Sequence, residues 1–442
     1  MAQPVVHTQA CASTPDLLNL YRAFPARYPF LMQSVATGPL GRYDLLLACP
    51  QETLPCLPQE GSLEFLQSFA ARWKKRPKIA LNDSQIPFVG GFFAYFAYDY
   101  AQIVEPVLNL PQGNLPMAQL THCPAAVIYD HLTCQLHFVA EPDYADCIEQ
   151  MRADWAVVQQ QEALELTLPD FDLHEDDPEA FLAGVAQIKD YILAGDVFQV
   201  NLSRAWQVSF SQSVAPEVLY ARLRRSNPAP FAALADFGAW QIISSSPERL
   251  VRQYNGWLET RPIAGTRRRD ADVHKDAALK AELLATVKER AEHIMLIDLE
   301  RNDLGRICMP GSVDVNELMV IESYAHVHHI VSNVRGRPQP HLTPLDVVHA
   351  LFPGGTITGC PKIRCMEIIA QLEEVPRLAY TGSLGYISWD GRMDLNILIR
   401  TLMHQGQEAT FRAGAGIVAD AQAQQELAET RHKAEGLLRA LK

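Results

Sequence analysis

Between residues 196 and 262 the chain reads as one strand after another: DVFQVNLSRAWQVSF, PFAALADF, WQIISSSPERLV and GWLETRPI, rich in β-branched and aromatic residues. The pattern returns after residue 311 in GSVDVNELMVIESYAHVHHIVSNVRG, YTGSLGYISWDG, MDLNILIRTLM and ATFRAGAGIVAD, with helical stretches set apart from the strands. Strands joined through short turns pair antiparallel, and a strand–helix–strand rhythm is missing. The expected class is α+β and not a doubly wound parallel sheet.

At 442 residues the chain is too long for one simple domain. Its N-terminal part reads as a short helix, then FLMQSVA and RYDLLLACP around a turn at 38–41, and an amphipathic helix near 63–73. A buried aromatic run, GGFFAYFAYDY, and a strand pair in AAVIYDHLTCQLHFVAE follow. A helix over 143–164 leads into LTLPDFDLHEDDP, acidic, proline-punctuated and without periodicity, where the main boundary is expected. The division is thus 14–142, a helix and linker over 143–177, and 178–440. Asp177–Pro178 is a helix start, a side-chain acceptor followed by a residue needing no amide donor.

A net charge of −13 argues against nucleic acid or an anionic membrane as partner, so an anionic substrate needs a local cationic pocket. Residues 1–15 lack a basic start and apolar run, no stretch has the length of a membrane span, and nine scattered cysteines include no Cys-x-x-Cys. The expectation is a cytoplasmic protein with reduced thiols.

The stretch 261–306 concentrates the chemistry. In RPIAGTRRR, Gly265 permits close backbone approach, and Arg261, Arg267, Arg268 and Arg269 make the surroundings cationic. In the helix pattern that follows, Leu283, Leu284, Val287, Ala291, Ile294 and Met295 recur as an apolar stripe, and Glu289 and Glu292 share another side. The C-terminal helix repeats the theme with Glu426, Glu429 and Lys433 beside a stripe of Leu427, Ala434, Leu438 and Leu441. Two Glu-x-x-Glu pairs are either solvated helix faces or the hard oxygen ligands of Mg²⁺. Thr356, Thr358 and Gly359 precede a helix led by Pro361, which is either an anion site or plain capping by Thr358. On a strand, His326 and His328 share a face and His329 takes the other, so the three cannot ligate one zinc. His329 is either a substrate contact or a core histidine. Glu248 after a turn is either a surface glutamate or a general acid with a raised pKa. From residues alone the reading is a Mg²⁺-assisted enzyme acting on a small carboxylated molecule.

The motifs PIAGTR, KERAEH, DLERNDLGR, HHIVS, FPGGTITGCPK, GYISWDGRMD, IRT and GAGIVAD stand in the order found in chorismate-utilising enzymes. The chain resembles that family strongly over 178–440 and more weakly over 16–140. The resemblance implies a two-lobed fold of antiparallel sheets packed as a sandwich with helices outside. It implies Mg²⁺ held by Glu292 and Glu429 with support from Glu289 and Glu426. Substrate carboxylates would be gripped by Arg400, Tyr386, Lys433 and the amides near Gly414 and Gly416. Thr266, Thr358 and His329 would line the pocket, and Glu248 would protonate the departing C4 hydroxyl.

Water-using members of the family carry a lysine where this chain has Gln199, so the resemblance points to ammonia as nucleophile and to a glutaminase subunit as its source. The spellings FPGGTITG, GSLGYIS and HHIVS are most similar to those of aminodeoxychorismate synthase component I. Ala264 dissents, because many such synthases have a nucleophilic lysine there, and alanine is the spelling of anthranilate synthase component I. Ser34 falls where anthranilate synthases place the serine of a tryptophan-feedback pocket. A catalytically silent tryptophan-binding subunit is a third reading, opposed by the intact set of four glutamates.

Overall fold

The computed structural model describes residues 3–36, 41–58, 62–79, 85–324 and 327–442, leaving aside the side chain of Lys288. The expected turn at 38–41 and His326 lie largely or wholly outside them. Two sheets dominate, of twelve and ten strands among the described residues, and the pairings within them are antiparallel.

Each sheet draws on both ends of the chain. In the larger, Phe30–Gln33 pairs with Phe231–Asp236, and the order continues through Gln241–Ser246, Thr401–Gln405, Glu408–Ile417 and Gln199–Phe210. In the smaller, Gly91–Phe96 pairs with Ser383–Ser388, and the sheet runs on through Met393–Asn396 and Arg249–Tyr254 to Val327–Gly336 and Ile263–Arg268. Strands from 14–142 therefore complete both sheets. The stretch 166–178, read as aperiodic, contains an edge strand, Phe171–Glu175, laid against Gln199–Phe210. Its burial is slight, so hydrophobic alternation carried no signal there.

The sheets pack face to face. Phe93 stacks on Phe30 of the other sheet at 3.9 Å with planes 2° apart, and Tyr95 meets Trp240 at 5.4 Å. Phe92 leaves the opposite face of its strand and meets Trp389 and, across the sheet, Phe69 of the helix Ser62–Lys75. A strand buried on both faces has to be apolar throughout, which is why GGFFAYF shows no alternation. The outer face of the larger sheet buries Trp206, Phe411 and Leu402 under the helices Pro216–Ser226, Asp146–Val158 and Ala423–Leu441. The helix from Pro178 to Leu193 starts as expected, with the Asp177 side chain accepting from the Glu179 amide at 3.0 Å.

One ionic knot ties the larger sheet to the helix Lys362–Glu373. Glu373 accepts from Arg377 at 2.6 Å, from Arg412 at 3.0 Å and from the Ser203 amide at 2.8 Å, with its side chain 2% exposed. The two arginines hold its carboxyl below the usual range against the effect of burial. Glu373→Ala leaves both guanidinium groups without their partner, and an expected loss of about 3–5 kcal/mol would appear in urea unfolding.

Candidate functional site

Two helices and a glycine-bearing strand pair assemble the site. The expected single helix over the KERAEH region is two, Val273–Ala285 and Val287–Gly305, broken at Thr286 in extended conformation. The break resets the helical phase, so the expected apolar stripe is buried at Leu283 but is not the buried one beyond Thr286. Leu284, Val287 and Ile294 are exposed, whereas His293, Leu296, Ile297, Glu300 and Leu304 are buried. Helix Val287–Gly305 lies on strands Ile263–Arg268 and Val327–Gly336, and the C-terminal helix lies on Glu408–Ile417.

The four arginines expected to make a cationic pocket are spent on carboxylates. Arg261 pairs with Glu317 and Glu322, Arg267 with Glu282 and Glu289, Arg268 with Glu435, and Arg269 with Asp276. The cation left for a ligand is Arg400, whose guanidinium makes no hydrogen bond or ion pair among the described residues. Burial lowers its pKa, opposed by Tyr380, Glu248 and Glu429 close by. Its backbone is held at φ 55° between two strands.

Glu248 faces the same space. It is 6% exposed and accepts from the Thr356 hydroxyl at 2.7 Å. Burial pushes its pKa up to about 7, against the opposing pull of Thr356, Arg400 and Lys433. His329 is 9% exposed, its Nδ1 lies 2.9 Å from the Thr266 hydroxyl, and burial together with Arg400 lowers its pKa to about 4. The imidazole is thus neutral at neutral pH. His328 is committed elsewhere, to Asp276 and Ser323 at 2.8 Å each.

Gln199–Phe210 and Glu408–Ile417 form the floor, with Asn201 opposite Gly416 and Ser203 opposite Gly414. A Cβ at Gly416 would stand 2.4 Å from Gln199 Nε2, and one at Gly414 2.8 Å from the Tyr380 hydroxyl, so only glycine leaves this backbone open. Lys433 Nζ donates to the Gly414 carbonyl at 3.0 Å and pairs with Glu429 at 2.6 Å. Gln199 Nε2 donates to Glu292 Oε1 at 3.5 Å. Glu292 and Glu429, from different helices, therefore reach neighbouring points on one strand pair.

Gly265 has φ 63°, and a Cβ there would meet Glu289 at 2.7 Å. Ala264 is buried and presents a methyl group. The Thr358 hydroxyl donates to the Gly354 carbonyl at 3.0 Å and serves its own turn; it does not cap the helix Lys362–Glu373, whose N-cap Pro361 has no side-chain cap bond. Among the described residues no three His, Cys, Asp or Glu side chains cluster as a metal site. Carboxylates in pairs still fit Mg²⁺, which takes one or two from protein and the rest from water and substrate.

Tyr386 stands apart from these residues. It lines a separate cavity with Ser34, Met32, Pro230 and Phe231, and Phe88 meets its ring edge-on at 5.9 Å. The tyrosine beside Arg400 and Gly414 is Tyr380, six positions earlier in LAYTGSLGY. Two tyrosines on one motif look alike until the turn before Ser383–Ser388 is folded. Thr356, expected in an anion site or cap, instead donates to Glu248, and Asn201 was not anticipated as a site residue. Asn201 was within reach of strand periodicity, two residues beyond Gln199.

Residues 42–439 match the family model described as chorismate binding enzyme. The chain belongs to the chorismate-binding enzyme family.

This chorismate-utilising enzyme is 42% identical over 383 residues to aminodeoxychorismate synthase component 1 of Bacillus subtilis, covering 84% of this chain and 80% of that one. It is 40% identical over 415 residues to an anthranilate synthase component I-like protein of Synechocystis sp., covering 91% and 83%. The crystal structure of anthranilate synthase component I from Streptococcus pneumoniae superposes with a TM-score of 0.78 at 33% identity, over 90% of this chain and 92% of that one. That fold, with mixed helices and two antiparallel sheets, is the α+β class expected from the strand pattern. No helix among the described residues is long and apolar enough to cross a membrane.

Proposed function

We propose that this enzyme aminates chorismate with ammonia, yielding 4-amino-4-deoxychorismate and water, as an aminodeoxychorismate synthase component I. The observation that carries amination is Gln199, a buried neutral amide bonded to Glu292. An amide cannot deprotonate water, whereas ammonia is nucleophilic enough to attack before it loses a proton. Amination at C4 is supported by the 42% identity to a B. subtilis enzyme of that name and by the spellings of residues 352–359 and 383–388.

Glu248, its pKa pushed up to about 7, is protonated in a large share of molecules at neutral pH and gives that proton to the departing C4 hydroxyl. The ring carbon–oxygen bond breaks to release water, the nitrogen lone pair forms the new bond, and the surplus proton on nitrogen returns to the Glu248 carboxylate. Arg400 grips a substrate carboxylate by charge-assisted hydrogen bonds, and the Gly414 and Gly416 backbone lets the ring approach closely. His329, neutral and held by Thr266, adds no cation that would raise the cost of the leaving proton. Glu292 and Glu429 are the residues that would hold Mg²⁺, which when bound neutralises substrate carboxylate charge. The ammonia would come from a glutaminase subunit.

Ala264 favours a second reading, amination at C2 followed by loss of pyruvate to give anthranilate, because a methyl group offers no covalent nucleophile at C2. Product identification separates the two. Purified protein, chorismate, Mg²⁺ and an ammonium salt should give a non-fluorescent product convertible to 4-aminobenzoate by added lyase. Fluorescent anthranilate formed without lyase would overturn the C4 reading.

A further inference from the structure

Gln199–Phe210 carries a second amide with no part in the chemistry above. Gln199 and Asn201 stand two residues apart, so their side chains leave the same face of the strand. They are 4% and 8% exposed. The Gln199 amide turns its nitrogen to Glu292, which orients its carbonyl end away from that carboxylate. Neither Gln199 Oε1 nor Asn201 Oδ1 accepts a hydrogen bond from any group among the described residues. Buried carbonyls left unpaired in this way are rare and costly, and two together on one strand face call for a donor from outside. Both amides press on the open glycine backbone of the site. Asn201 Oδ1 lies 2.5 Å from the point a Cβ on Gly414 would occupy, and the Tyr380 hydroxyl lies 2.8 Å from that point.

We propose that Gln199 and Asn201 together form the seat of the ammonia molecule. Their carbonyl oxygens accept two of its N–H groups, which leaves the lone pair free to point toward the substrate ring. The neutrality of both acceptors is chemically apt. A carboxylate at either position would bind ammonium more strongly than ammonia and keep the proton on nitrogen, and a protonated nitrogen has no lone pair to give. The inference deepens the amination reading above and rests on it. It adds Asn201 as a binding residue for the nucleophile and not for the dianion.

The test is a steady-state titration of the purified chain with ammonium chloride at fixed pH in the presence of chorismate and Mg²⁺. Asn201→Ala and Asn201→Leu remove one acceptor, and the loss of one hydrogen bond should raise KM for ammonia about tenfold. KM for chorismate should stay within about twofold, and saturating ammonium should restore kcat. Asn201→Asp, nearly identical in shape, tests the chemistry in a protein that keeps the packing. It should move the pH of half-maximal rate upward, because the added charge holds the proton on nitrogen. An unchanged KM for ammonia in the Ala and Leu variants, equal rises in both KM values, or an unmoved pH profile in the Asp variant would each overturn the ammonia seat. A wild-type enzyme that yields no aminated product would overturn the amination reading itself, and the seat with it.

Discussion

Glu248→Gln is expected to turn over chorismate about a hundredfold to ten-thousandfold more slowly than the parent enzyme while becoming more stable above pH 7. The amide keeps the shape and the Thr356 hydrogen bond but has no proton to give the leaving hydroxyl, and general-acid catalysis contributes about 10²–10⁴ in rate. The pH dependence has a definite sign. With its folded pKa raised from 4.5 to about 7, Glu248 is protonated below that value, so at a constant concentration of free ammonia the parent rate should be flat there and fall about tenfold per unit above it. Stability runs the same way. The folded protein binds this proton more tightly than the unfolded chain, so stability is full below pH 4.5 and is lost as pH rises through 7. A shift of that size corresponds to roughly 3 kcal/mol at most, which Glu248→Gln should recover at pH 8 and not at pH 4. Thermal unfolding of both proteins at the two pH values checks it. A variant that lost activity and stability together at pH 8 would make Glu248 a packing residue and no acid.

Arg400→Gln is expected to raise KM for chorismate by about a hundredfold or more, the loss of a charge-assisted contact to a carboxylate in a desolvated pocket. The melting temperature without substrate should hold or rise, because the guanidinium has no hydrogen-bond or ion-pair partner among the described residues to lose and its burial disfavours the charge. Isothermal titration with chorismate reads the first effect and calorimetric unfolding the second. Arg400→Lys should recover little, since a point charge does not reproduce a planar fork. If Arg400→Gln bound chorismate normally, the carboxylate would be held by other groups, Lys433 foremost.

Glu248 and Arg400 show why the site was only partly legible beforehand. The sequence pattern around each is a short turn between strands, and nothing local tells an exposed glutamate from a buried one. Burial arises because Pro247 to Arg249 joins the two sheets and the turn Gly355–Ile357 from a hundred residues later closes over it. The cationic stretch 261–269 erred in the opposite direction. Its charges were visible, but their partners lie at 276, 282, 289, 317, 322 and 435, and pairing removed them from ligand binding. Tyr380 and Tyr386 are a third case, since their motif fits either, and they end in different cavities.

Features that depend on hydrogen bonds within a few residues were readable from the chain alone. These include the cap at Asp177, the antiparallel pair Ala125–Asp130 and Gln135–Ala140, and the spacing of Glu426, Glu429 and Lys433 along one helix. The α+β class followed from the same local periodicities. The tertiary structure alone decided which charges were neutralised, which carboxyl was buried far enough to keep its proton, and which tyrosine stood at Gly414. Those properties depend on desolvation and on distances between residues far apart in sequence, and both exist only once the two sheets have closed on each other.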